Sequence, residues 1–166
     1  MERIVIIGCP GSGKTRLARL LGENLHLTVV HLDRLWWRSG WENVTQEEFD
    51  NRLEKALSLD SWIIDGNYSR TIGQRIAKCD TVIYLDFGRW QCLWGVLHRI
   101  FTNWGRVRPD MADGCPERLD WEFLKYVWNF RKNNHVRNET YLAQARHAKR
   151  IVLKNRKEVK AFLETL

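Results

Sequence analysis

The chain has 166 residues, about the length of one domain, and 44% of them are hydrophobic, as in globular proteins that bury a core. No apolar run approaches the ~18 residues of a membrane span, and the first residues already form a strand pattern, so we expect no membrane partner, no signal peptide and a cytoplasmic location. The net charge of +7 indicates a nucleic-acid partner or a polyphosphate site, and its even spread favours the second.

The chain begins with an apolar run from Arg3 to Ile7, which predicts a buried strand. A glycine-rich segment follows, Gly8-Cys9-Pro10-Gly11-Ser12-Gly13-Lys14-Thr15, and a helical pattern starts at Thr15. This G-x-x-x-x-G-K-[ST] pattern predicts a loop whose backbone N–H groups hold the phosphates of a nucleoside triphosphate. Lys14 would reach the β- and γ-phosphates, and the Thr15 hydroxyl would bind Mg²⁺. The residues expected to contact the nucleotide are Gly8, Pro10, Gly11, Ser12, Gly13, Lys14 and Thr15.

Two further observations concern this nucleotide. The sequence has no N-K-x-D guanine signature, which favours ATP over GTP. Cys9 lies inside the loop, where a helix N-terminus could lower the pKa of its thiol, or where it could serve only as a small filler. The four cysteines include no C-x-x-C pair and no zinc-ligand spacing, so neither structural zinc nor a disulfide framework is expected.

Four more strands are predicted at 27–31, 61–65, 81–85 and 150–153, with helical sequence between them. Capping boxes begin helices at Thr45 and at Asn155, and an apolar helix is predicted from Trp90 to Phe101. This alternation predicts a single α/β domain over 1–166, with three layers around a five-stranded parallel sheet. Residues 102–147 do not fit the alternation, and we interpret them as a lid-like insertion that contains a helix around 121–130.

Acidic residues follow three of the predicted strands. Ligands of parallel sheets bind beyond the carboxyl ends of the strands, so Asp33, Asp65 and Asp86 are candidates for the site. Asp33 could accept a proton from an attacking hydroxyl, hold a water on Mg²⁺, or only cap a turn. Asp65 could hold Mg²⁺ together with Thr15. Asp86 is not expected to contact the ligand itself and could at most support residues that do.

The acceptor side of the site is predicted around the second and third strands. Trp36 and its neighbours Trp37 and Trp41 could stack on a ring, although tryptophans are often core residues, and Arg38 could hold an anion. Arg70 could bind a phosphate with both guanidinium nitrogens. The residues expected to bind substrate are Asp33, Trp36, Arg38, Asp65, Asn67, Tyr68 and Arg70.

Arginines are concentrated in and beside the insertion. They could close over the transferred phosphoryl group, supplying positive charge and excluding water, although single arginines are often solvated surface residues. The arginines concerned are Arg99, Arg106, Arg108, Arg118, Arg131 and Arg137. The residues expected to be catalytic are Lys14, Asp33, Arg99 and Arg131.

With these motifs the chain resembles the adenylate-kinase-like branch of P-loop kinases over its full length. It resembles most the bacterial family labelled "DNA topology modulation protein". The segments that carry the likeness are 8–15, 31–37, 65–68, 108–111 and 114–120. The resemblance implies a sheet order of 2-3-1-4-5 and a lid that closes on ATP. The chain departs from the D-G-F-P-R pattern of adenylate kinases: Asp65 and Gly66 match, but there is no proline and Arg70 falls one place late.

Two functional hypotheses follow. The first is a phosphotransferase that uses ATP and Mg²⁺ to phosphorylate a small nucleotide or a hydroxyl compound. The second, less favoured because the sequence contains no recognisable nucleic-acid reader, is a nucleic-acid-associated ATPase or regulator that affects DNA topology. We expect a monomer or a homodimer.

Overall fold

A computed structural model describes residues 1–166 and contains a five-stranded parallel sheet. Its strands are β1 (Arg3–Gly8), β2 (Val29–His31), β5 (Trp62–Asp65), β6 (Thr81–Leu85) and β7 (Lys149–Leu153). They lie in the order β2-β5-β1-β6-β7, and every neighbouring pair is parallel. Two short strands, β3 (Trp37–Arg38) and β4 (Glu42–Asn43), form a separate antiparallel hairpin.

The sheet order agrees with the expected 2-3-1-4-5 when only the five long strands are counted. The labels differ because the hairpin of β3 and β4, which the sequence analysis did not predict, adds two strands. A two-residue strand contains no repeat of the side-chain alternation by which strands are recognised. The second strand also begins at Val29 rather than at residue 27.

Helices cover both faces of the sheet. They are α1 (Lys14–Leu25), α2 (Leu32–Trp36), α3 (Gln46–Leu57), α4 (Ile72–Lys78), α5 (Arg89–Thr102), α6 (Trp121–Gln144) and α7 (Arg156–Leu163). Alternate residues of β1 point to opposite faces: Val5 and Ile7 enter one buried cluster, and Ile4 and Ile6 enter the other. The first cluster is covered by α3, α4 and the end of α6, and the second by α1, α5 and the first half of α6. This is the three-layer architecture that the alternation predicted.

Both predicted helix caps are present. The Thr45 hydroxyl accepts the Glu48 backbone N–H at 3.1 Å, and the Asn155 side chain accepts the N–H groups of Lys157 and Glu158 at 3.0 Å each. The reciprocal bond of a capping box is absent at both caps: Glu158 accepts the N–H of Lys154, one residue before the cap, at 2.7 Å, and Glu48 pairs with Arg38 and Arg52.

The range 102–147 consists of two unlike parts. Residues 103–120 contain two isolated bridges and no regular helix, whereas α6 runs for 24 residues and packs into the core through Val127, Phe130 and Leu142. The helix extends beyond the predicted 121–130. The prediction was too short because the second half of the helix buries the polar residues Asn134 and Asn138, which interrupt the apolar period. No helix of the structure is long and apolar enough to cross a membrane.

Candidate active site

The predicted phosphate-binding loop lies between β1 and α1. Gly8, Gly11 and Gly13 have φ values of 147°, 80° and 96°, a region that side chains other than glycine rarely adopt. Lys14 is the first residue of α1, so the loop ends at a helix N-terminus, where backbone N–H groups are free to bind an anion. The Lys14 Nζ donates to the Cys9 carbonyl at 3.0 Å, and the buried Ser12 hydroxyl has no partner. The predicted loop therefore lies between a buried strand and a helix N-terminus, and the contact of its seven residues with nucleotide stays a prediction.

The loop packs directly against α5. A Cβ atom on Gly95 would lie 2.1 Å from the Gly11 carbonyl oxygen, and one on Gly11 would lie 2.2 Å from the Cys92 carbonyl oxygen. Neither position can hold a side chain unless the backbone moves. The sequence analysis missed Gly95, whose only signal is a glycine inside an otherwise apolar helix.

The Asn67 side chain holds the start of the loop. Its Oδ1 accepts the Gly8 N–H at 3.0 Å and its Nδ2 donates to the Gly8 carbonyl at 2.9 Å. Sequence reasoning expected Asn67 to bind substrate, but both polar ends of its amide are engaged with the backbone of the loop. The geometry makes Asn67 a positioning residue for the phosphate-binding loop.

Arg75 fixes the segment that contains Asn67, and the sequence analysis did not identify it. Its fully buried guanidinium donates to the carbonyls of Gly66, Asn67 and Tyr68 at 2.7, 2.5 and 3.0 Å. Gly66 has a φ of 129°, and a Cβ there would lie 2.9 Å from Leu32 Cβ. The glycine is therefore required by packing within the protein.

Asp65 ends β5 and is buried beside His31. The His31 Nδ1 and the Asp65 Oδ1 are 2.9 Å apart. Burial by itself lowers the pKa of His31, but the hydrogen bond and charge of Asp65, helped by Asp110 and Asp33, outweigh it and raise the pKa above its usual range. His31 thus contacts Asp65 and not Asp33, which lies two residues further along the chain.

Asp33 lies in the first turn of α2 and accepts a hydrogen bond from Tyr68. The Tyr68 hydroxyl donates to the Asp33 Oδ1 at 2.8 Å. Burial, helped by the charge of Asp65, raises the pKa of the Asp33 carboxyl above its ordinary value. The hydrogen bond from Tyr68 and the charges of Lys14 and Arg108 act in the opposite direction and only partly offset this rise. The pKa of Tyr68 is raised mainly by burial and, to a smaller extent, by the charge of Asp33 and its hydrogen bond. The Tyr68 hydroxyl therefore stays protonated and acts as the donor.

Lys14, Asp33 and Asp65 share one electrostatic environment. Burial lowers the pKa of Lys14, and the negative charges of Asp65 and Asp33 act in the opposite direction. The strand ends thus bring the loop lysine and both carboxylates to the same edge of the sheet, as the topology predicts. Lys14 supplies one positive charge and the two aspartates supply two negative charges, so a divalent cation or a further basic group would offset the excess negative charge.

A cavity of about 200 Å³ opens beside Tyr68. Its aromatic walls are Trp36, Phe49 and Tyr68, whose ring centroids are 5.3 to 6.0 Å apart, and Ser69, Arg70 and Thr71 complete the lining. Trp36 and Tyr68 are two of the expected substrate-binding residues. Phe49, in α3, is a third wall and was not among the predicted site residues.

The two arginines expected on the acceptor side are held by carboxylates. Arg70 makes two bonds to Asp50, at 2.9 and 2.5 Å, and Arg38 pairs with Glu48. Arg70 is nevertheless part of the cavity wall, whereas Arg38 lies on the β3–β4 hairpin outside it. Of the two, only Arg70 is placed next to the aromatic cavity.

Arg99 and Arg108 meet on one buried carboxylate. Glu117 accepts from Arg99 at 3.0 Å and from Arg108 at 2.8 Å, and Arg108 also bonds to Asp110 at 2.6 Å. Burial, then the charge of Arg108, lowers the pKa of Arg99. The sequence analysis named both arginines but gave no role to Glu117, which lies in the 114–120 segment quoted for the family resemblance.

The irregular segment 103–120 is packed on the β3–β4 hairpin. Met111, Ala112 and Cys115 form a small apolar cluster with Trp37 and Trp41. The Gly40 N–H donates to the Gly114 carbonyl at 3.0 Å, and the guanidinium of Arg118 lies 5.3 Å from the Trp41 ring. Residues 103–120 therefore pack on the hairpin that carries Trp37 and Trp41, and their closure over ATP and the transferred group stays a prediction.

Asp86 forms a second buried acidic position, after β6. It accepts from Tyr84 at 3.1 Å and pairs with Arg131 at 3.3 Å and with His135 at 3.6 Å. Arg131, expected to be catalytic, is thus engaged with Asp86, and its side chain is 52% exposed.

Cys9 is buried, and a side-chain hydrogen bond with Cys92, followed by burial, raises the pKa of its thiol. The buried Cys9 thiol donates to the Val127 carbonyl at 3.8 Å, which favours the filler role over a reactive thiolate. All four cysteines are free and buried.

No protein-family model and no curated protein sequence matches the chain. Among solved structures, shikimate kinase from Bacteroides thetaiotaomicron is similar, with a TM-score of 0.56, 14% identity, and coverage of 99% of this chain and 95% of that one. Shikimate kinase from Acinetobacter baumannii, solved in complex with shikimate, has a TM-score of 0.57 and 16% identity. The match covers 99% of this chain and 90% of that one. At this identity the similarity shows the fold: the chain has the α/β fold of these P-loop kinases.

Proposed function

We propose that the protein is a kinase that transfers the γ-phosphate of ATP to a small acceptor. The observation that carries this proposal is the convergence of Lys14, Asp33 and Asp65 at one edge of the sheet, where Lys14 ends a phosphate-binding loop. A fold shared with two shikimate kinases supports it. A loop that bound nucleotide only for stability would not need a buried carboxylate beside its lysine.

The phosphate-binding loop would hold ATP through its backbone N–H groups, and Lys14 would leave the Cys9 carbonyl to contact the phosphates. The residues at the site also fit Mg²⁺, since the Thr15 hydroxyl and the Asp65 carboxylate are the hard oxygen donors that this ion prefers. Asp65 keeps one oxygen free after its bond to His31. When bound, the ion would neutralise phosphate charge.

Asp33 would act on the acceptor. If the acceptor is a hydroxyl compound, the Asp33 carboxylate takes its proton, the acceptor oxygen bonds to the γ-phosphorus, and the bond to the β,γ-bridging oxygen breaks to release ADP. Tyr68 would keep Asp33 oriented through its 2.8 Å bond. The aromatic cavity of Trp36, Phe49 and Tyr68 would hold the body of the acceptor.

The arginine pair on Glu117 would supply positive charge near the transferred group. Arg99 and Arg108 are held in place by Glu117, so little side-chain freedom remains to be lost on phosphate binding. Arg131 would have to leave its ion pair with Asp86 before it could bind a phosphate of the substrate. The segment 103–120 would exclude water from the acceptor.

The test is a transfer assay with γ-labelled ATP over nucleosides, nucleoside monophosphates, sugars and other hydroxyl compounds. We expect a labelled product that is lost in Lys14→Ala. Asp33→Asn then separates the acceptor types, because a phosphate acceptor needs no general base: a loss of about 10²-fold or more indicates a hydroxyl. If no acceptor is labelled and DNA stimulates Lys14-dependent hydrolysis of ATP, the kinase proposal is wrong and the nucleic-acid-associated ATPase replaces it.

A further inference from the structure

The outer surface of α5 carries large aromatic side chains that nothing in the protein covers. Trp90, Trp94 and Phe101 are spaced by four and seven residues, which puts them on one stripe of the helix. Trp104 follows α5, and Trp121 is the first residue of α6. These five residues, the aromatic face, are each between 61% and 78% exposed.

The aromatic face spans two helices that lie side by side. The Trp90 and Trp128 ring centroids are 4.7 Å apart, and the Arg99 guanidinium lies 5.6 Å from the Phe123 ring. The start of α5 is therefore beside Trp128, in the first third of α6, and its end is beside the start of α6. Trp121 precedes Trp128 by seven residues, so both project from the same side of α6.

The composition of α5 is that of a buried interface rather than of an ordinary surface. The helix contains no Lys, Asp or Glu, and its only charged residues are Arg89 and Arg99. Arg99 is engaged with Glu117, and the Arg89 guanidinium lies over the Trp128 ring at 5.1 Å. Protein interfaces are enriched in Trp, Phe and Arg and depleted in Lys, Glu and Asp.

The size of the face matches a stable interface. A large aromatic side chain buries about 150–250 Å² when fully covered, so covering these five residues would remove roughly 500–900 Å² from water on each protomer. A standard stable interface buries about 800 Å² per partner. We propose that the aromatic face is the interface of a symmetric homodimer, in which α5 of one protomer packs against α5 of its partner.

This interface would also support the phosphate-binding loop. The opposite side of α5 carries Gly95 against Gly11, at a separation that leaves no room for a methyl group. Burying the outer side of α5 would therefore restrain the helix on which the loop rests. The interface itself does not depend on phosphate transfer, so it can stand if the proposed function fails.

The test is sedimentation velocity over a micromolar concentration series. The wild-type protein should sediment as a dimer, with a molar mass twice the 19.8 kDa of one chain. Trp94→Glu and Phe101→Glu each place like charges across the two-fold axis and should raise the dimer dissociation constant about 10-fold or more. Both side chains are exposed within a protomer, so the variants should remain folded, with the circular-dichroism spectrum of the wild type. Leu59→Glu, at an exposed apolar residue outside the face, is the matched control and should remain dimeric.

A wild-type monomer throughout the series, or dimers that persist in both α5 variants, would overturn the proposal. If the monomer binds anionic vesicles or an oligonucleotide and Trp94→Glu abolishes that binding, the face belongs to that partner and not to a second copy. The coupling to the loop is measured by ATP titration: Trp94→Glu should weaken ATP binding about 5-fold or more. A monomeric Trp94→Glu protein with wild-type ATP affinity would refute the coupling.

Discussion

Replacing Asn67 by alanine tests whether a side-chain amide holds the phosphate-binding loop in place. Asn67→Ala removes two hydrogen bonds, of 3.0 and 2.9 Å, from the buried N–H and carbonyl of Gly8. Each of the two buried polar groups left without a partner costs about 1–3 kcal/mol, so the variant should lose roughly 2–6 kcal/mol of unfolding free energy. For a chain of this size, that lowers the melting temperature by roughly 4–24 °C.

The assay is thermal and urea unfolding of the wild type, Asn67→Ala and two comparison variants. Asn51→Ala removes an exposed amide and should change stability by less than about 0.5 kcal/mol. Asn67→Asp keeps the acceptor for the Gly8 N–H but places a carboxylate oxygen against the Gly8 carbonyl. Protonation of that carboxylate restores a donor, so the deficit of Asn67→Asp relative to wild type should shrink as the pH falls. An Asn67→Ala protein as stable as the wild type would refute the reasoning.

Two further predictions concern the proposed catalytic carboxylate and the support of the loop. Tyr68→Phe removes the hydrogen bond that lowers the pKa of Asp33, so the pKa rises further and the acid limb of kcat/KM for phosphate transfer should move to higher pH; an unmoved limb would exclude Asp33 as the base. Gly95→Ala places a methyl group 2.1 Å from the Gly11 carbonyl oxygen and should destabilise the protein by about 1–3 kcal/mol in urea unfolding. Gly73→Ala, in a helix with open space around it, should be neutral or stabilise by about 0.5–1 kcal/mol, and equal effects of the two changes would contradict the close packing.

Patterns that repeat along the chain made the sheet predictable. The apolar run of β1 and the later strands, each separated by helical sequence, were enough to place the phosphate-binding loop, Asp33 and Asp65 at one edge. The alternation depends only on local hydrophobicity and on the rule that strands of such units are parallel. The β3–β4 hairpin was not predictable in this way, because its two-residue strands are stabilised by the distant residues 111–115.

The supporting residues of the site were the other part that the sequence did not reveal. Arg75 and Asn67 act on backbone carbonyls and N–H groups, and a sequence shows no trace of which backbone groups are left without partners. Glu117 was similarly hidden, because its role depends on Arg99 and Arg108 reaching it from two different segments. The second half of α6 was missed because buried Asn134 and Asn138 replaced the apolar residues that mark a helix face.

The most direct test of the proposed activity is to follow ADP and phosphorylated acceptor together by ³¹P NMR, using the best acceptor from the labelled screen. The account predicts that the two products appear in equal amounts, that the acceptor accelerates ADP formation, and that Lys14→Ala abolishes both signals. Release of inorganic phosphate at the same rate with and without every acceptor would contradict it.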